Sequence, residues 1–137
     1  MLIARALLDE LIAHAREDAP NECCGVVAVT SSDPVSATRV HRALNTAASP
    51  LRFEVDGLEL LHTIEAIEAD DSELGAIYHS HTRSAPYPSQ TDINFAANWP
   101  GVEWIIVGLA GGEDPEVRSY LIDDGKVEEV SVEDRAT

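Results

Sequence analysis

The sequence predicts an α/β (α+β) fold, a central mixed β-sheet carrying about three helices. Three observations lead there. Residues 23–29 are a continuous apolar run rich in valine, and with 74–81 and 102–109 they read as strands of the core. Residues 6–18 and 56–69 instead repeat their apolar side chains at helical spacing. At 137 residues, 45% hydrophobic and 25% charged, the chain has the composition of a folded protein with one core, so a single domain over 1–137 is expected.

Taken in order, residues 2–5 read as a short opening strand. Leu7, Leu8, Leu11, Ile12 and Ala15 share one face of a helix over 6–18, which Pro20 ends. "CCGVVAV" is a buried strand, 30–38 a loop, 39–44 a strand, and "NTAASP" another loop. Phe53 to Val55 reads as a short strand. Asp56 is an N-cap residue, and Leu60, Leu61, Ile64 and Ile67 carry the helix to about residue 69. "LGAIYHSH", 74–81, follows the turn "DDSE". A loop with Pro86 and Pro88 leads to a short helix from Ser89 to about Asn98, and then to the strand "VEWIIVGL". Residues 117–122 and 126–130 form a hairpin around "DDG", since Asp-Gly suits a tight turn with positive φ. The acidic tail, 130–137, is expected to fray.

Charge excludes some functions. Nine basic residues stand against 25 acidic ones, a net charge of −16, which phosphate backbones repel, so nucleic acid is not a partner. Eight of the nine are arginine and only Lys126 is lysine; an acidic, lysine-poor surface suits a cytoplasm rich in salt, where charge is strongly screened. A high-GC coding bias would produce a similar composition. No apolar run spans a membrane, and the first ten residues lack the layout of a signal peptide. Cys23 and Cys24 are neighbours that seldom bridge; they read as buried apolar residues of a cytoplasmic protein.

The stretch "IYHSHTRSAPYPSQTD", 77–92, carries the chemistry. On a strand, residues two apart face the same side, so His79 and His81 project together, about 6–7 Å apart at Cα, with Ser80 opposite. Alone, a His-x-His pair is as readily two surface residues. "SQTD" then makes Ser89 an N-cap and Asp92 the third residue of the helix, a capping box. A proline-rich loop folding back would aim that helix start at the strand end, so that Asp92 joins the two imidazoles. Two histidines and a carboxylate suit zinc with an open fourth position. His14 and His62 read as helix-surface residues, His41 as a strand residue, and Trp99 and Trp104 as packing.

"HSHTRSAPYPSQTD" resembles the signature of the JAMM, or MPN-plus, metalloproteases: His-x-His, seven residues, Ser, two residues, Asp. Upstream, "ECCGVVAV" resembles the family's glutamate strand, and the likeness runs from Glu22 to about Val107. The resemblance implies a sheet sandwiched by helices, similar to cytidine deaminase. It implies one Zn²⁺ per chain held by His79, His81 and Asp92, with Glu22 as general base and Ser89 as oxyanion donor. It further implies cleavage of peptide or isopeptide bonds after the C-terminal Gly-Gly of a ubiquitin-like β-grasp protein. The length is similar to that of the small prokaryotic members, and the acidic composition to the haloarchaeal desampylases, which remove small archaeal modifier proteins. The loop 82–88, with Tyr87, is the expected wall of the groove for the tail. Two alternatives stand beside this: a peptidase releasing cysteine from a ubiquitin-like sulfur carrier, and a metal-free scaffold like the family's inactive members. A deaminase of similar fold would need a "P-C-x-x-C" ligand pair, which is absent from the sequence.

Overall fold

The computed structural model describes residues 1–30 and 34–135. Its elements run β1 (Leu2–Ala4), α1 (Arg5–Asp18), β2 (Cys24–Val29), β3 (Ala37–Ala43), α2 (Gly57–Ala69), β4 (Glu73–His81), α3 (Gln90–Ala96), β5 (Glu103–Gly108), β6 (Glu116–Asp123), β7 (Lys126–Val130) and β8 (Glu133–Arg135). Six strands form one sheet in the order β3-β2-β4-β5-β6-β7. β4 and β5 are parallel, and every other neighbouring pair in it is antiparallel, so the sheet is mixed as expected.

Strand alternation splits the core into two layers. Val27, Ala76, Tyr78, Ile105 and Val107 point to the face covered by α1, where Leu8, Leu11 and Ala15 pack on them. Val26, Ala28, Ile77, Trp104 and Ile106 point to the other face, where Ile67 of α2 and Ala96 of α3 pack. Helices therefore sandwich the sheet. The odd-numbered residues of β4 after Ile77 continue along this second face, which places His79 and His81 on the side of α2 and α3.

Both caps read from the sequence form. Asp56 accepts a hydrogen bond from the Glu59 N–H at 3.1 Å. Ser89 and Asp92 make a complete capping box. At the hairpin, Asp124 and Gly125 take φ of 51° and 74°, the pair of positive angles that the turn needs.

Three expectations are corrected. Phe53 to Val55 form no strand; the side chain of Asn45 takes up the Glu54 N–H and the Arg52 carbonyl that a ladder would have used. The tail does not fray throughout, because Glu133–Arg135 add in parallel to β1; residues 136–137 lie outside the described residues. His14 is buried, not a helix-surface residue: its Nδ1 lies 2.7 Å from the Tyr78 hydroxyl and its Nε2 3.3 Å from Asp18. Gly25 makes that pairing possible, since a Cβ there would come within 2.4 Å of the Tyr78 ring.

Candidate active site

The site forms where β4 ends. Cys24 pairs with His79 in the antiparallel register of β2 and β4, and continuing that register sets Glu22 opposite His81. The Cys23 N–H donates to the Ser80 hydroxyl at 2.8 Å, and the Ser80 N–H donates to the Cys23 carbonyl at 3.2 Å, so the pairing is locked just where the functional side chains diverge from the sheet. Ser80 faces away from the two histidines, as the strand period requires.

The loop 82–88 is tied down on several sides. His81 Nδ1 lies 2.9 Å from the Ala85 carbonyl, the Tyr120 hydroxyl donates to the Pro86 carbonyl, and the Thr82 hydroxyl donates to the Pro20 carbonyl at 3.1 Å. Tyr87 is exposed and packs edge-on against Tyr120. The loop delivers α3 with its first turn facing the end of β4. There the Asp92 carboxylate accepts from the Ser89 N–H at 2.9 Å, while the Ser89 hydroxyl accepts from the Asp92 N–H at 3.1 Å.

The structure thus brings together Glu22, His79, His81, Ser89 and Asp92. His79 Nε2 lies 3.1 Å from His81 Nε2 and 3.1 Å from Asp92 Oδ2, and the third edge, His81 Nε2 to Asp92 Oδ2, is 3.5 Å. Bonds of roughly 2.0–2.1 Å to a tetrahedral ion separate its ligand atoms by about 3.3 Å, so these three atoms have the dimensions of one face of a zinc tetrahedron. The tautomer agrees. A carbonyl at Nδ1 requires the His81 proton there, so in the neutral ring the lone pair sits on Nε2, where a cation would bind; without a cation, Nε2 is the atom that turns a proton towards Asp92. Glu22, His79 and His81 also form a buried group whose ligand atoms lie within 4.8 Å of one another. These residues fit a metal ion.

Electrostatics separates the two carboxylates. Burial pushes Glu22 up to about 7; the positive charge available to His81 opposes this and the Asp92 charge adds to it. Burial also acts to raise Asp92, but hydrogen bonds from His79, His81 and the Ser89 backbone win and hold it well below the usual carboxylate range. Burial lowers His79 despite its contact with Asp92. For His81, burial is outweighed by the hydrogen bonds to Asp92 and the Ala85 carbonyl, and its pKa is raised.

A cleft opens here, lined by Glu22, Ser89 and Asp92 together with Leu51, Phe53 and Phe95. A wider hollow at the opposite end of β4, beside Glu73 and Gly75, holds none of these residues. Two participants escape a reading of the sequence. Phe53 stacks on the His79 ring, and Asn45 hydrogen-bonds the Glu22 carbonyl. The only trace of either in the sequence is an asparagine opening a turn-rich loop. Among the described residues, no helix is long and apolar enough to cross a membrane.

Comparison with known proteins agrees with this geometry. Residues 4–123 match the family model Prok-JAB, prokaryotic homologs of the JAB domain. The chain is 38% identical over 136 residues to a CysO-cysteine peptidase of Mycobacterium tuberculosis, covering 96% of this chain and 90% of that one. It is 41% identical to a desampylase of Haloferax volcanii, over 75% of this chain and 76% of the relative. A solved protein of Desulfitobacterium hafniense superposes with a TM-score of 0.86 at 26% identity, covering 99% of this chain and 93% of that one. The chain belongs to the prokaryotic JAB family and is a peptidase of that family.

Proposed function

We propose that the protein is a zinc-dependent isopeptidase that cuts after the C-terminal Gly-Gly of a ubiquitin-like modifier, with His79, His81 and Asp92 holding the ion, Glu22 as general base and Ser89 as oxyanion donor. The observation that carries this reading is the triangle of ligand atoms, with edges of 3.1, 3.1 and 3.5 Å, beside a buried carboxylate. When bound, Zn²⁺ supplies Lewis acidity, polarising the scissile carbonyl and making water a better nucleophile near neutral pH.

The chain's own groups do the rest. Asp92 keeps its charge across the working range and contacts both imidazoles, which suits a ligand. Glu22 exchanges its proton near neutrality, which suits a base that takes a proton from water and passes it to the leaving amine nitrogen. The Ser89 hydroxyl accepts from the Asp92 N–H through a lone pair, so its own proton remains to meet the oxyanion. A Gly-Gly tail suits the cleft beside Leu51 and Phe53, because residues without Cβ pass where others clash.

A second reading is release of cysteine from a ubiquitin-like sulfur carrier. It is favoured by the identity to the CysO-cysteine peptidase along nearly the whole chain. Both readings require the same metal and differ in the leaving group. Metal analysis of the purified protein should give one zinc per chain. Chelator-sensitive cleavage should then be compared on a lysine-linked conjugate and on a carrier–cysteine fusion. Faster turnover of the first supports isopeptidase action, and faster turnover of the second supports the sulfur-carrier reading. Full cleavage after complete zinc removal would defeat both.

A further inference from the structure

Asn45, just after β3, is buried at 6% exposure, and its amide is saturated. Nδ2 donates to the Glu22 carbonyl at 2.9 Å and to the Arg52 carbonyl at 3.0 Å. Oδ1 accepts from the Ala47 N–H and the Glu54 N–H, each at 3.0 Å. Two donated and two accepted bonds fill the capacity of a primary amide. From the same loop, the Ser49 carbonyl accepts the Glu22 N–H at 2.9 Å. The loop 45–54 therefore grips the main chain of Glu22 on both its polar groups. A third attachment runs to the metal side, since Phe53 stacks on His79 with centroids 4.6 Å apart.

Among the described residues, no side chain hydrogen-bonds the Glu22 carboxylate. Its place beside His81 must then be set by the main chain that carries it, and Asn45 is the side chain holding that main chain. We propose that Asn45 is a positioning residue for the general base: it fixes Glu22 relative to the histidine pair and braces the Arg52–Glu54 wall of the cleft in the same act. This rests on the reading of Glu22 as base. A base displaced by about 1 Å loses up to roughly 100-fold in rate.

The test uses the zinc-loaded full chain and a fluorogenic peptide ending in Gly-Gly-aminomethylcoumarin, with Asn45→Ala and Asn45→Asp. Aspartate keeps both acceptors and the volume but lacks the Nδ2 donors. Both variants should still bind one zinc per chain, weakened by no more than the roughly 10-fold expected from freeing Phe53, and at saturating zinc should lose roughly 10- to 100-fold in kcat. A variant that is less stable yet turns over at the wild-type kcat would overturn the proposal, because that is what a purely structural asparagine gives. A wild-type enzyme that cleaves neither this peptide nor a conjugate defeats the peptidase reading instead. The positioning claim is then read from the carboxyl ¹³C resonance of Glu22, assigned with Glu22→Gln: displaced in the uncharged Asn45→Ala it stands, unmoved it falls. Should neither variant fold, Asn45→Gln, which keeps the amide on a stem one methylene longer, decides: kcat lowered at saturating zinc upholds the proposal, and wild-type kcat rejects it.

Discussion

The Phe53 ring lies on the His79 imidazole, with centroids 4.6 Å apart and 26° between the planes. A fully buried ring is thereby covered by a side chain from a loop that has no regular structure. Such a stack contributes about 0.5–1.5 kcal/mol beyond area burial. Phe53→Ala should let His79 tilt and admit water, weakening zinc binding by roughly 2- to 10-fold in competition with a chelating dye. Unchanged affinity would show that the ring is held by β4 alone.

Ser89 is the N-cap of α3 and, in the proposed reading, also the oxyanion donor. Ser89→Ala removes the acceptor of the Asp92 N–H and should cost about 1 kcal/mol of stability, typical of a lost N-cap. Turnover should fall much further, by about 2.7–4 kcal/mol of transition-state stabilisation, while zinc stays bound. Glu22→Ala should likewise keep its metal and lose activity, whereas Asp92→Ala should lose metal affinity. Wild-type turnover in Ser89→Ala would remove the hydroxyl from the mechanism.

His14 gives the fold a pH dependence. Burial lowers its pKa from 6.5, against the pull of nearby Asp18. The unfolded chain therefore takes up a proton that the folded chain refuses, so stability is full above 6.5 and falls as the pH drops below it. Glu22, pushed up to about 7, acts in the opposite sense, so the effect is read as a difference: the urea midpoint of the wild type should lose ground to that of His14→Leu as the pH falls from about 7.5 to 5.5. An identical slope in the variant would place the dependence elsewhere.

The net charge of −16 sets up a response to salt. Ion pairs such as Arg5–Asp9 and Arg118–Glu129 are few against the acidic surface. Raising KCl from about 0.15 M to 2 M should screen the carboxylates from one another and raise the melting temperature. A flat or falling profile would make the composition a matter of coding bias.

The strands and helices were legible because their periods are nearly unmixed: "CCGVVAV" is apolar throughout and "VEWIIVGL" is apolar but for Glu103, and Cys24–Val29 and Trp104–Gly108 indeed lie buried on both faces. The convergence of His79, His81 and Asp92 was legible because a strand period and a capping box each fix one direction. Glu22 was found through its resemblance to the family and not through spacing, since it is one of fourteen glutamates. What stayed hidden lies in long-range side-chain bonds. Asn45 reaches 23 residues back to Glu22, and Tyr78 reaches 64 residues back to His14. No periodicity encodes such pairings. The segment 53–55 looked like a strand because Phe and Val favour one, but among the described residues it makes one backbone bond, from the Thr46 N–H to the Glu54 carbonyl, and the Glu54 N–H goes to the side chain of Asn45, a substitution of side chain for ladder invisible to propensity.

The hydroxyl of Tyr120 on β6 is bonded to the Pro86 carbonyl in the loop beside the cleft. With the bonds at Ala85 and Thr82, it fastens the stretch that leads into α3 to both β4 and β6. The direction from which α3 brings Asp92 to the histidines is therefore settled two strands away, by the same packing that assembles the sheet.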